Sequence, residues 1–575
     1  MAISHDSDVL ARALVLIEDT WKIQSQGAYF LRELGMPSGL PDLCEAAAIE
    51  RSQKAAALLA KLSALDVTRL PLEIATTVEV ARCKAREWSR EADWYWVVFD
   101  PMGLGFYALF APTAYGGGFL FGNLNAMMAE FRFAVPGDAD RYLGLVSDYG
   151  RIVRQLHART SGQAQRGIRI PKVQLDQGIE LLSRLKGSCR AVLTPAAARM
   201  PQLDNRSLQA EVAARVATQV EPAFDAFIAE LSDPDYRQAA PDQVGIGQYP
   251  RGAEIYAELV RHHTTQDLTP EQVHQAGLDR MAVVRADMQG LLARVGFAGT
   301  PAEYVRKIES DPKWRATGSE EVAAVFNRYI ERMAHRLDEY FAFKPAAGHA
   351  VAPLPEALSA SMTFGYYDPP SRTTATGRYL FNAQNLSRNA LANIAALNYH
   401  ELVPGHHMHV ASQRENDALV PLRKHNLVNA FNEGWAEYAA TLAGEMGMYR
   451  EPEEQFGRYM MDAFLTCRLV VDTGMNVLGW TLEQARDYMR ACSFMPEVEI
   501  KSESIRYSCD IPGQALAYKL GDSYLLALRE RMRAALADRF DIRDFHDAVL
   551  KPGSLPLALV AANVEASIER LAAER

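Results

Sequence analysis

Tyr399-His400-Glu401-Leu402-Val403-Pro404-Gly405-His406-His407-Met408-His409 places four histidines and one glutamate within eleven residues. The nearest familiar arrangement is H-E-x-x-H, in which two histidines one helical turn apart bind zinc and the glutamate is the general base. Here the fourth residue after His400 is Pro404, and the next histidine is His406. Taking Pro404-Gly405 as a two-residue insertion turns the motif into H-E-L-V-(P-G)-H. An unbroken α-helix could not use it. Residues six apart lie ~9 Å apart along the axis and ~120° apart around it, too far for two ring nitrogens each ~2.1 Å from one ion. The inserted pair is the one best able to break that register. Proline removes an i→i−4 bond and clashes with the carbonyl of His400, and glycine accepts unusual backbone angles. A bulged or kinked turn would bring His406 back towards His400. His407 is the rival ligand, nearly right in azimuth but two turns away.

Zinc in such a site needs a third protein ligand. Asn432-Glu433-Gly434-Trp435-Ala436-Glu437-Tyr438 reads as a helix with Trp435, Tyr438, Ala439 and Leu442 on its buried face. Glu433 stands at its start, outside the apolar stripe, and Glu437 follows one turn later as a candidate partner of a ligating imidazole. The blander alternative is a kinked core helix with surface histidines.

The 575 residues exceed a single ordinary core. They divide into an N-terminal helical section 1–240, a helical connecting section 241–345 and a site-bearing section 346–575. Hydrophobic content of 49% and charged content of 23% are those of a globular protein. The net charge of −10 and the absence of a basic stripe argue against nucleic acid as a partner. The N-terminus has no cationic region before its apolar run, and no apolar run reaches membrane-spanning length. Six scattered cysteines without a C-x-x-C pair suit a reducing compartment. A cytoplasmic location without membrane association is the expectation, and a homodimer is an allowed assembly.

Apolar spacing predicts helices over Ala46 to Leu65, Leu72 to Trp88, Asp140 to Ala164, Pro171 to Lys186, Leu208 to Leu231, Ala253 to His263, Pro270 to Val295, Ser319 to Phe341 and Phe456 to Met475. Thr269, Pro270 and Gln272 form a clear helix start. Thr481 starts another. Tyr115-Gly116-Gly117-Gly118-Phe119 lacks the Lys-Ser/Thr of a phosphate loop and reads as a tight turn among aromatics. Met362 to Pro370 and Gly377 to Asn382, joined by Ser371 to Thr376, read as a β-hairpin. Its Tyr366 and Tyr367 are candidate substrate-binding residues, because a strand edge can pair with an extended peptide. The histidine-bearing helix is expected to begin near Ser387 and run through Ala390, Ile394 and Leu397 to His400.

A third functional segment runs from Glu503 to Gly521. A metal-dependent hydrolase needs a donor for the oxyanion, and Tyr507 and Tyr518 are candidates, with His407 as a helper. Arg506 could pair with a substrate carboxylate.

Y-H-E-x-x-P-G-H-H, N-E-G-W-A-E-Y and R-Y-x-x-x-x-P-G-Q-A-x-x-Y-K-x-G occur in this order in a large bacterial family labelled only as a domain of unknown function, which this chain resembles. The Leu259 to Gly277 run and Gly365-Tyr366-Tyr367-Asp368-Pro369-Pro370-Ser371 extend the resemblance. That family is in turn similar to the gluzincin metallopeptidases of the thimet oligopeptidase, angiotensin-converting enzyme and carboxypeptidase Taq type. The resemblance implies a mainly α, two-lobed fold with a deep cleft and a small hairpin or sheet beside the metal helix. It implies Zn²⁺ on His400, His406 and Glu433, and it favours Tyr507 over Tyr518, because Ile505-Arg506-Tyr507 is similar to the Ile-Arg-Tyr of converting enzyme. Pro404-Gly405 departs from the gluzincin pattern.

The expected activity is zinc-dependent hydrolysis of peptide or amide bonds. Glu401 would take the proton of a metal-activated water and pass it to the leaving amine. Two other readings share the residues: a metal-dependent enzyme acting on a small-molecule or natural-product amide, and an inactive binding protein that retains the fold.

Overall fold

The computed structural model describes residues 2–35, 38–200, 205–354, 364–371, 374–388 and 391–574. They form a mainly helical protein with one three-stranded sheet. Two compact units divide the chain, one of Met1–Ile255 with Ser508–Pro512, the other of Tyr256–Tyr507 with Gly513–Arg575.

In the first unit, apolar residues at helical spacing build the expected helices with small changes of boundary: Glu45–Ser63, Leu72–Trp88, Asp138–Gln165 and Lys172–Leu193. The run expected as one helix from Leu208 to Leu231 is Asn205–Arg215 and Glu221–Ser232 with a π-helical turn, Val216–Val220, between them. Arg159 is buried at the centre of this unit. Its guanidinium donates to the carbonyls of Tyr95 and Leu109 and lies 4.1 Å over the Phe99 ring. The Tyr115 to Phe119 turn is π-helical, with those two rings stacked 5.0 Å apart. Asp510 holds it, accepting from the Thr113 hydroxyl at 2.6 Å and the Tyr115 N–H at 2.9 Å.

The second unit carries the histidine cluster. Helix α1, Pro270–Arg294, starts at the capping box anticipated from Thr269 and Gln272. Strands β1 (Gly348–Pro353), β2 (Gly365–Asp368) and β3 (Thr376–Phe381) follow, in the order β1-β3-β2. β2 and β3 pair antiparallel, with Tyr367 opposite Tyr379. β1, parallel to β3, is an addition to the expected hairpin. The expected strand residues Met362 and Thr363, and Arg372 and Thr373 of the connection, lie outside the described residues.

The histidine-bearing segment is not one helix from Ser387. Ala383–Arg388 is helical, Leu391–Asn393 is a 3₁₀ turn, and only then does α2, Ile394–Glu401, begin. Ala390 and the Ser387 side chain lie outside the described residues. Helices α3 (His406–Glu415), α4 (Asn429–Glu445), α5 (Pro452–Asn476) and α6 (Ala517–Leu536) complete the frame of the site. The helix expected to run unbroken from Ser319 to Phe341 stops at Ala334 and resumes as Leu337–Tyr340.

α5 is buried over most of its length and packs against α1 at Gly277, where a Cβ would sit 2.8 Å from Leu469 and Val470. α4 and α6 approach each other backbone to backbone. A Cβ on Gly434 would lie 2.6 Å from Gly521 Cα, and one on Gly521 would lie 2.7 Å from Gly434 Cα. This crossing fixes Glu433, next to Gly434, relative to Tyr518 and Lys519.

Among the described residues no helix is long and apolar enough to cross a membrane, and no disulfide joins any of the six cysteines. The glycine crossing gives a direct prediction. Gly434→Ala and Gly521→Ala each force the two helices apart and cost about 1–3 kcal/mol, read as a lowered thermal midpoint. Gly444→Ala, whose nearest neighbour would be the Tyr449 ring at 3.6 Å, leaves the midpoint within about 0.5 kcal/mol of wild type.

Candidate metal centre

Sequence dictates a break between His400 and His406, and the structure makes it a full helix end. α2 stops at Glu401, the chain turns through Leu402–Gly405, and α3 begins at His406. Pro404 has no N–H to continue the first helix. Gly405 is required by space, because a Cβ there would collide with the carbonyls of Tyr399 and His400. The N–H of His407 donates to the Leu402 carbonyl at 3.1 Å. The Trp435 indole N–H donates to the Pro404 carbonyl at 2.9 Å. A residue two places after Glu433 thereby pins the turn to α4.

The result sets the two imidazoles edge to face with ring centres 4.8 Å apart. His400 Nε2 lies 3.6 Å and His406 Nε2 lies 3.4 Å from Glu433 Oε2. One atom from each of the three residues falls within 4.8 Å of the other two. Four ligands at ~2.0–2.1 Å around a tetrahedral zinc ion stand ~3.4 Å from one another, so the two measured separations match a tetrahedron's edge. Glu433 Oε2 is buried and has no hydrogen-bond partner. A buried carboxylate oxygen left that way is costly, and a cation held by all three residues would satisfy it. The donor set therefore fits a divalent metal that accepts two imidazoles and one carboxylate.

Behind the triad, each imidazole has a partner for its other nitrogen. His400 Nδ1 lies 2.8 Å from Glu437 Oε1, and His406 Nδ1 lies 3.1 Å from His409 Nε2. Glu437 is held in turn by Arg458 at 3.1 Å and Lys519 at 4.0 Å. Lys519 reaches Asp522 at 2.5 Å and Asp462 at 3.0 Å, and Arg280 also pairs with Asp462. Three cations thus face three carboxylates, and this layer is neutral without help from the triad.

The triad's own electrostatics ask for positive charge. Burial disfavours the charged form of His400, but the Glu433 and Glu437 carboxylates beside it outweigh this and raise its pKa to about 10. Burial pushes Glu433 up, but His400 and His406 more than reverse this and hold it far below the usual carboxylate range. Burial likewise opposes ionisation of Glu437, and Arg458, His400 and Lys519 bring it down to about 2. Glu401 stands apart. It is buried at the end of α2 and makes no hydrogen bond among the described residues. Burial raises its pKa against the pull of His400 and His406.

The other anticipated residues fall in different places. His407 has both ring nitrogens occupied, Nδ1 by the Tyr367 hydroxyl at 2.8 Å and Nε2 by the Ala347 carbonyl at 3.0 Å. It ties the sheet to α3, and of the adjacent pair it is His406 that joins the triad. Gly377 makes room for this tie, since a Cβ there would occupy the space of the Tyr367 hydroxyl and His407 Nδ1. Tyr367 also lies nearly parallel to His406, 6.4 Å between ring centres. Tyr366, its neighbour on β2, projects to the opposite face of the sheet.

Tyr507 is fully buried. Its hydroxyl accepts from Arg468 Nε at 2.8 Å and donates to Glu503. Tyr518 is the tyrosine that stacks on His400, with ring centres 6.0 Å apart and planes within 10°. Arg506 donates to Gln514 at 2.7 Å and pairs with Glu503 at 3.5 Å. Sequence reasoning missed His409 and Trp435 as supports of the site, and Arg468, whose guanidinium lies 4.7 Å over the Tyr518 ring. His409 offered a signal, standing one turn after His406 on the same helix face.

The raised pKa of His400 makes a prediction for protein stripped of metal. Its folded pKa of about 10 lies above the unfolded value of ~6.5. The stabilisation is therefore complete below ~6.5 and lost as pH rises through 10. Thermal midpoints in chelator should fall between pH 7 and pH 10, less steeply in Glu433→Gln than in wild type. Equal slopes would contradict this placement of charge.

The sequence from residue 30 to residue 564 matches the family described as "Bacterial protein of unknown function (DUF885)". No curated protein matches the chain. Among solved structures, "the putative lipoprotein from Colwellia psychrerythraea" is similar at a TM-score of 0.84 and 24% identity, covering 98% of this chain and 99% of that one. "A putative lipoprotein of unknown function from Shewanella oneidensis" is similar at a TM-score of 0.71 and 17% identity, covering 96% and 99%. At these identities the likeness shows the fold. A family match over almost the whole length does more, and on it the chain belongs to the bacterial DUF885 family.

Proposed function

We propose that this chain is a metal-dependent hydrolase of peptide or amide bonds, of gluzincin-like kind, with zinc held by His400, His406 and Glu433. The observation that carries the reading is the convergence of two imidazole nitrogens on a buried carboxylate oxygen that has no hydrogen donor. When bound, a zinc ion supplies Lewis acidity, polarising a carbonyl and making water a nucleophile near neutral pH.

The chain's residues then have distinct tasks. Glu401 directly follows a ligand, and its carboxylate is not committed to a hydrogen bond among the described residues. Its raised pKa suits a group that takes a proton from water and gives it to the leaving nitrogen. Glu437 fixes the His400 ring through Nδ1, with Arg458 neutralising the carboxylate. Tyr518, whose ring stacks on His400, would donate its hydroxyl to the carbonyl oxygen as it gains negative charge. β2, the last strand of the sheet, lies beside the triad through Tyr367. Main-chain pairing along such a strand holds an extended peptide whatever its side chains, which favours peptides over compact amides as substrates.

Elemental analysis tests the ligand set. Wild type and His407→Ala should hold about one zinc per chain, and His400→Ala, His406→Ala and Glu433→Ala should hold none. Failure of wild type to hold zinc after reconstitution would end the reading. With zinc loaded, cleavage of a peptide mixture should fall by at least ~10²-fold in Glu401→Gln with metal content unchanged. Tyr518→Phe should lose ~10²–10³-fold in kcat, and Tyr507→Phe should lose less. Zinc affinity should weaken as pH falls, because the proton on His400 must leave before its nitrogen can bind; calorimetry in buffers of different ionisation enthalpy would count the protons released.

A further inference from the structure

The two histidines of the triad are backed by different chemistry. His400 leans on a carboxylate that Arg458 neutralises. His406 leans on another imidazole, His409, one turn along α3, at 3.1 Å between Nδ1 and Nε2. His409 is 2% exposed, packs edge-on against Phe431 of α4 at 5.8 Å, and its Nδ1 is buried without a partner.

These contacts fix the protons once the triad holds a metal, and the inference rests on that reading. His406 presents Nε2 towards Glu433. A nitrogen that ligates has given up its lone pair to the ion, so the single proton of neutral His406 sits on Nδ1 and can only be donated. His409 Nε2 must then accept it, which excludes a proton there and excludes a cationic ring. We propose that His409 is the positioning residue for the His406 arm, acting as a neutral acceptor with its own proton on the partnerless Nδ1. Among the described residues no cation bonds to His409, so a carboxylate at this depth would stand uncompensated. A neutral ring orients His406 without adding charge to a site that already carries Glu433 and Glu401.

The test uses the full-length protein and zinc ion alone. Dissociation constants are measured by chelator competition for wild type, His409→Gln and His409→Leu. Glutamine can put an acceptor where Nε2 lies and should bind zinc within about threefold of wild type. Leucine cannot, and should bind about 10–100-fold more weakly. ¹⁵N NMR of histidine-labelled, zinc-loaded protein, with His409→Gln assigning the signal, should show His409 protonated at Nδ1 and bare at Nε2. A proton on His409 Nε2 would overturn the proposal, as would His409→Leu binding zinc as tightly as wild type. If His409→Leu does not fold, the glutamine variant and the spectrum decide. Wild type that binds no zinc would overturn the metal reading and this proposal together; wild type that binds zinc indifferently to residue 409 would overturn this proposal alone.

Discussion

Glu433 ends in an oxygen closed off from water, with two imidazole nitrogens 3.4 and 3.6 Å away and no donor bonded to it. Much of the second unit can be understood from the need to hold that arrangement. Two histidines six residues apart on one helix cannot both turn to one carboxylate oxygen, so the chain must end a helix and start another within four residues. It does so with the residue that has no N–H and the residue that has no Cβ. The turn is then captured by the Trp435 indole, and Trp435 belongs to the helix that carries Glu433. The central carboxylate, the capturing side chain and the glycine of the α4–α6 crossing are thus neighbours along one stretch, Glu433-Gly434-Trp435.

The charge layer beneath the triad follows from the same constraint. Glu437 is useful behind His400 only as a carboxylate, and a carboxylate buried that deeply needs Arg458 and Lys519 beside it. Lys519 in turn needs Asp522 and Asp462. A buried pair is worth little against a good apolar core, yet breaking one by removing a single partner costs about 3–5 kcal/mol. Such a layer serves orientation better than stability. Behind His406 the chain reaches the same orientation with a neutral ring, so the two arms of the triad differ in the charge that backs them.

What the sequence made legible was what is encoded locally. Thr269-Pro270 and Gln272, or Thr481 and Gln484, announce helix starts because the bonds that make the cap run between residues three apart. Pro404-Gly405 announces a break for a similar reason. The form of that break was not readable, since a kinked helix and a helix end differ through an indole 31 residues away. The hydrogen bonding of Tyr507 was out of reach in the same manner: the Ile505-Arg506-Tyr507 likeness marked the residue, but Arg468, which claims its hydroxyl, lies on α5, 39 residues earlier in the chain. β1 went unseen because its partner, β3, follows with β2 lying between them in sequence. Nothing in the composition of Ser508–Pro512 marks it as belonging with Met1–Ile255.

The central claim is that one ion is held by two imidazoles and one carboxylate. X-ray absorption at the zinc edge of the reconstituted wild-type protein tests it most directly. The account predicts four light ligands at ~2.0–2.1 Å, with the multiple-scattering signature of two imidazole rings and no sulfur shell at ~2.3 Å. A spectrum with sulfur in the first shell, or with no imidazole scattering, would place the zinc elsewhere and contradict the claim.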